Sequence, residues 1–137
     1  MENWALRLVL TLIGMMIVWL GLNVALGGIP TLGWQGPADF MSVTNEGAFA
    51  VQDNHIRFIG GVWTSVGLFM LFGAAKLHQL ATVLKTLLAM VFIGGLARFS
   101  AADSELIMSA NIAPSLIAEL IVLPLIGGWI HHATRSN

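Results

Sequence analysis

The chain has no cysteine, and only 9% of its 137 residues are charged. The first absence removes disulfides, thiolate nucleophiles and Cys-ligated zinc or iron-sulfur centres together. The second removes the ordinary soluble domain, which carries about 25% charged residues. Six Lys+Arg stand against seven Asp+Glu for a net charge of −1, so the basic excess that a nucleic-acid backbone demands is missing and no nucleic-acid partner is expected. Also missing are a glycine-rich phosphate loop after a strand, a nucleophile elbow and a His-Glu-x-x-His zinc motif. His131 and His132 are adjacent, point to different sides of a helix and have no third ligand close by, so they read as a solvated tail. Met15, Met16, Met70 and Met90 lie in apolar runs as filler, and only Met41 and Met108 fall on the side where a copper route would want them. No metal and no cofactor are expected.

What is abundant is apolar. Hydrophobic residues make up 57% of the chain and the mean hydropathy is +0.84, which places it in a bilayer. A membrane-crossing helix needs about 20 mostly apolar residues. Four runs meet that length: 5–26, 56–77, 80–99 and 112–130. The first is too long for a signal-peptide core of about 7 to 15 residues, so it is expected to remain as a span. The expected fold is all-α, a single integral membrane domain over 1–137 forming a four-helix bundle with antiparallel neighbours. A long loop, 27–55, holds Pro30, Trp34, Pro37, Asp39 and Glu46, with a short helical piece from Ala38 to Ala50.

Positive charge selects the cytoplasmic side. Arg7, Lys76, Lys85 and Arg135 flank one side of the four runs, whereas Asp39, Glu46, Asp53, Asp103 and Glu105 collect on the other. Both termini are therefore expected in the cytoplasm, with Trp4 and Trp129 as interfacial anchors.

Phe58-Ile59-Gly60-Gly61 in the second run returns as Phe92-Ile93-Gly94-Gly95 in the third. Arg57 precedes the first glycine pair and Arg98 follows the second, so in antiparallel helices both arginines reach one depth near the outer face, each with glycines one turn deeper. Charged groups at that depth need partners. Asp53 lies one turn before Arg57, and Glu119 lies roughly 10 Å below the outer end of the fourth run at 1.5 Å per residue, within reach of Arg57 or Arg98. The expectation is a polar cluster of Asp53, Asn54, His55, Arg57, Arg98 and Glu119 in the outer half, with Trp63 as an aromatic wall and Glu46 folding over from the loop.

Each member has two readings. Glu119 is either a functional acid within a span or a structural partner of an arginine. Asp53 is either the N-cap of the second helix or a member of the site. His55 either shuttles a proton or only hydrogen-bonds at the interface. Arg57 and Arg98 either clamp an anion through their fork of donors or pair internally with the acids.

The stretch Asp53-Asn54-His55-Ile56-Arg57-Phe58-Ile59-Gly60-Gly61-Val62-Trp63 resembles the signature of a bacterial family of small four-helix inner-membrane proteins catalogued as a domain of unknown function. In that family an Asp-Asn-His-x-Arg-Phe run enters the second helix and Gly-Gly-x-Trp follows. Gly94-Gly95-Leu96-Ala97-Arg98 and the segment from Glu119 to Pro124 fit the same pattern, so the resemblance spans most of the chain. A looser likeness links it to the DoxX-like four-helix membrane proteins. The resemblance implies a fold and a compartment, the bacterial inner membrane, and no chemistry.

Three functional classes follow. The first is a binding site for a small or lipid-like, anionic ligand, lined by Asn54, His55, Arg57, Trp63, Arg98 and Glu119. The second is a membrane enzyme using Glu119 with His55 or Asp53 as an acid/base pair on a lipid-soluble substrate, for example for a double-bond shift. The third is an accessory subunit whose ion cluster locks the helices in register. A ligand-binding or accessory role leads, because no acid/base pair stands at a diagnostic spacing. Membrane lipids are expected partners. Gly14 and Gly21, on roughly one face of the first span, permit a homo-oligomer or a larger membrane complex. Four spans leave little room for a transport pathway.

Overall fold

The computed structural model describes residues 3–31, 42–101 and 103–135. Within them the chain is helical and contains no strand. The long elements are α1 (Trp4–Gly27), α2 (Glu46–Ala75) and α3 (Leu77–Ala97). Short α4 (Ser104–Ile107) and α5 (Ala113–Ile117) follow, and a π-helical turn (Ala118–Val122) leads into α6 (Leu123–Arg135). Among the described residues four stretches are long and apolar enough to cross a membrane: Trp4–Gly27, Glu46–Ala75, Leu77–Ala101 and Ala113–Arg135. The protein is an all-α membrane protein. Phe58, Phe69 and Phe72 on α2 and Met90, Ile93 and Leu96 on α3 are exposed. In water such a surface would aggregate; in a bilayer it is the side that meets acyl chains.

The second helix begins earlier than its apolar run. Asn45 caps it, its Oδ1 accepting from the Ala48 N–H at 3.0 Å, so the helix extends ten residues ahead of position 56. A polar amphipathic turn costs nothing at a membrane surface, which is why the hydropathy pattern did not reveal it. The expected helical piece from Ala38 to Ala50 is, from Glu46 on, the start of α2 itself. Trp34, Pro37, Asp39 and Met41 lie outside the described residues.

The chain divides into two compact units, Leu8–Ala74 and Met1–Arg7 with Ala75–Asn137. In Leu8–Ala74, α1 and α2 run antiparallel and touch through small residues. A Cβ on Gly67 would lie 2.6 Å from the Val18 nitrogen and 2.8 Å from the Gly14 carbonyl oxygen, and one on Gly60 would strike the Ala25 backbone. Gly21 faces Thr64 in the same way. Apolar bulk gives helices no reason to associate in lipid, so close backbone approach over small residues supplies the packing. The Gly14 and Gly21 face, which from sequence permitted an oligomer, is thereby spent inside the chain.

In the other unit α3 packs antiparallel on the fourth span. Its buried positions, Leu77, Ala81, Leu84, Leu88, Val91 and Gly95, alternate by four and three residues. Leu116, Glu119, Leu123, Ile126, Ile130 and Ala133 do the same on the opposing chain. This is the seam spacing of paired helices. A carboxylate occupies one of its positions.

Where α1 ends, Gly28 adopts φ +71°, and a Cβ there would overlap Asp53 Oδ1. The left-handed backbone costs a non-glycine residue about 1–2 kcal/mol, and the collision adds the displacement of Asp53. Gly28→Ala is therefore expected to lower the thermal unfolding midpoint in detergent. Gly61→Ala, whose Cβ meets open space, should leave it nearly unchanged.

Candidate functional site

Among the described residues two arginine-carboxylate pairs stand out, one in each unit. In Leu8–Ala74, Arg57 Nε donates to Asp53 Oδ2 at 2.6 Å, one helical turn apart on α2. Arg57 Nη1 also donates to the Leu26 carbonyl, and Asp53 Oδ1 accepts from the Ile29 N–H at 2.7 Å. The pair thus grips both sides of the turn that ends α1. A helix end leaves carbonyls without partners and carries partial negative charge, and a guanidinium answers both needs. The same turn is closed by Thr31, whose Oγ1 donates to the carbonyls of Asn23 and Gly28 at 3.0 Å each. Asn23, the one polar interruption near the end of the first apolar run, returns a bond to the Thr31 carbonyl at 3.4 Å.

This geometry corrects one reading of Asp53. It is not the N-cap of α2, because α2 begins at Glu46 and Asp53 lies two turns inside it. Its carboxylate instead accepts a backbone N–H from the turn after α1. The sequence held a signal for this: Gly27-Gly28 directly after the last apolar residue of a run is a helix-stop pattern, and such a stop needs donors and acceptors nearby.

In the other unit Arg98 holds Glu119 with two parallel bonds, Nε to Oε2 at 2.7 Å and Nη2 to Oε1 at 2.6 Å. Glu119 is 7% exposed and is the buried charged residue among those described. Gly95 makes this possible. A Cβ at that position would lie 3.0 Å from Glu119 Cβ and 2.8 Å from Leu120 Cδ2, so only glycine lets the backbone pass close enough for Arg98, one turn on, to reach around to the carboxylate. Two parallel charge-assisted bonds add both energy and directional specificity over a single one.

Glu119 sits in the π turn, where the Leu123 N–H bonds back to the Ala118 carbonyl, five residues earlier. Pro124 explains the departure. It lacks the N–H that the Leu120 carbonyl would take in an α-helix, and the chain widens just before it. Extra-wide turns inside helices recur at functional positions.

The repeated tetrapeptide has a sharper meaning in three dimensions. In the first copy the packed glycine is Gly60, three residues after Arg57; in the second it is Gly95, three residues before Arg98. Gly61 and Gly94 face open space. The repeat is therefore a mirrored arrangement, arginine and close-contact glycine one turn apart, read in opposite chain directions.

The remaining candidates are placed differently. Asn54 and His55 are exposed on α2 and form no hydrogen bond with the described residues, and Glu46 is exposed at the helix start. Trp63 is half-buried. His131 and His132 are exposed near the end of α6, and Arg135 Nη1 lies 3.4 Å from His131 Nε2. Among the described residues no group of three or more His, Cys, Asp or Glu could hold a metal ion.

Removing one partner of a buried pair leaves the other charge uncompensated. Glu119→Gln is expected to cost about 1–3 kcal/mol, less than a fully buried pair because Arg98 keeps 39% of its side-chain surface. The double change Arg98→Met with Glu119→Leu, which removes both charges, should restore most of the loss in a thermal unfolding assay. A double variant no more stable than Glu119→Gln would contradict this account.

No curated protein and no solved structure matches this chain. The family model described as Domain of unknown function (DUF4345) matches residues 5–130, which runs from the first turn of α1 to the closing turns of α6, and the chain belongs to that family.

Proposed function

We propose that this is a small multi-pass protein of the bacterial inner membrane, with both termini in the cytoplasm, that binds a small or lipid-like anionic ligand at its arginine pairs or serves as an accessory subunit through them. The observation that carries this reading is an asymmetry within each pair. The carboxylates of Asp53 and Glu119 keep 14% and 10% of their side-chain surface, whereas Arg57 and Arg98 keep 40% and 39%. An acid covered by a guanidinium is poorly placed to exchange protons with a substrate. A guanidinium fixed by that acid, with a face still open, is pre-organised to receive an anion. Asn54, His55 and Trp63, on the same helix as Arg57, supply donors and an aromatic surface for the rest of such a ligand. The distribution of Lys76, Lys85 and Arg135 supports the orientation.

The second reading is a membrane enzyme of the isomerase kind, with Glu119 and either His55 or Asp53 as the acid/base pair. The π turn at Glu119 is the observation in its favour. It requires Glu119 to leave Arg98 during a catalytic cycle.

Extraction of the purified protein followed by mass spectrometry tests the binding reading. An anionic amphiphile is expected to co-purify with the wild type, and Arg98→Gln or Arg57→Gln should reduce its recovery by an order of magnitude or so, given about 1.5–3 kcal/mol for a hydrogen bond to a charged group. Equal recovery from the wild type and both variants would remove the arginines from the site.

A further inference from the structure

The π turn leaves one backbone acceptor over. The Leu123 N–H, which would bond to the Glu119 carbonyl in an α-helix, bonds to the Ala118 carbonyl instead. The next nitrogen, the one a wider turn would bring to Glu119, belongs to Pro124 and carries no hydrogen. Among the described residues no side chain and no loop N–H donates to this carbonyl. Glu119 is buried, and a buried carbonyl without a donor costs free energy comparable to a lost hydrogen bond. The hydrocarbon layer holds no water to replace that donor.

The unfilled acceptor stands beside an unfilled donor. Arg98 gives Nε and Nη2 to the Glu119 carboxylate, while its Nη1 forms no bond with the described residues, and its side chain keeps 39% of its surface. Arg98 closes α3. Gly95, which packs against Glu119, lies three residues deeper, about 4.5 Å along the axis. Helix carbonyls point toward the C-terminus, and the fourth span runs inward from this end, so the Glu119 carbonyl points toward the middle of the span. Exposed Ile93 on α3 and exposed Ile121 and Leu125 on the fourth span continue an apolar surface in that direction.

We propose that the Arg98 site takes an acidic amphiphile that carries a hydroxyl group on the acyl side of its acidic group. The acidic group accepts from Arg98 Nη1, the hydroxyl donates to the Glu119 carbonyl, and the chain lies along the apolar surface beyond. This rests on the anionic-ligand reading given above and narrows it twice. It selects the Arg98 pair, because at Arg57 the neighbouring acceptors are already filled: the Leu26 carbonyl accepts from Arg57 itself, and the carbonyls of Asn23 and Gly28 accept from Thr31. It also asks the ligand for a donor as well as a charge. The order anion, hydroxyl, chain is the order in depth of the guanidinium, the carbonyl and the exposed isoleucines and leucine.

Native mass spectrometry of the full chain from phosphatidylcholine nanodiscs loaded with equal amounts of hexadecanoate and 3-hydroxyhexadecanoate tests it. With each occupancy normalised to the acid's content of the nanodisc, the wild type is expected to favour the hydroxy acid about fivefold, the factor that corresponds to ~1 kcal/mol for one hydrogen bond. Pro124→Ala, which returns an N–H to the turn, should bring the ratio to one. Wild-type protein carrying carbon-13 at its glutamate backbone carbonyls gives a second readout that needs no variant: the hydroxy acid should move one amide I band to lower wavenumber, and hexadecanoate should not. Equal occupancy by the two acids overturns the proposal. The anionic-ligand reading survives that result if Arg98→Gln lowers both occupancies, and falls for this pair if the wild type retains neither acid. A preference that persists in Pro124→Ala, or that comes without the amide I shift, also overturns the proposal.

Discussion

A bilayer offers polar groups no water, so each buried charge and each helix end must find its partner within the protein. Among the described residues arginine meets that demand at three places. Arg57 donates to a carbonyl at the end of α1, Arg7 to a carbonyl at the end of α2, and Arg98 covers the buried carboxylate on the fourth span. The first two place a positive charge against the negative end of a helix dipole while filling an orphan acceptor. The third neutralises an acid that could not otherwise remain in a seam of leucine and isoleucine. With only 9% of residues charged, the arginines carry most of the polar accounting of the fold.

Glycine is the complement of these arginines. Gly60 and Gly67 bring α1 and α2 into backbone contact, and Gly95 brings α3 close to Glu119. Long side chains at these positions would separate the helices and carry each guanidinium away from its acceptor. Packing and electrostatics are thus coupled: the close approach creates the pair, and the pair holds the approach in register. Whether the same groups also bind a ligand turns on the guanidinium faces that remain open, since the carboxylates are already enclosed.

The arrangement bears on chemistry as well as on stability. A general base must be free to take a proton, whereas each oxygen of Glu119 accepts one N–H from Arg98 and Asp53 Oδ2 accepts one from Arg57. Asp53 is further engaged by the Ile29 N–H. Neither carboxylate stands free of a guanidinium, and the π turn widens the helix at Glu119. Binding at the arginines would use a site whose orientation has been secured by the fold itself.

Much of this was legible in the residues. The four apolar runs, the absence of strand patterning and the sign of the charges at each end follow from composition and spacing, because transfer to lipid depends on side chains taken one at a time and summed along about 20 residues. The likeness of the Asp53 to Trp63 stretch to a known family was also legible, since it rests on residue identity alone. The partners were not. The start of α2 at Glu46 was hidden because hydropathy does not register a polar helical turn, and the role of Asp53 followed from that start. Glu119 stood within reach of either Arg57 or Arg98 by depth, and only the antiparallel seam that sets Gly95 against it assigned Arg98. Depth along a helix is a one-dimensional quantity that a sequence determines by counting, whereas pairing depends on rotation about the helix axis and on how closely two backbones pass, and those are decided only when the helices pack.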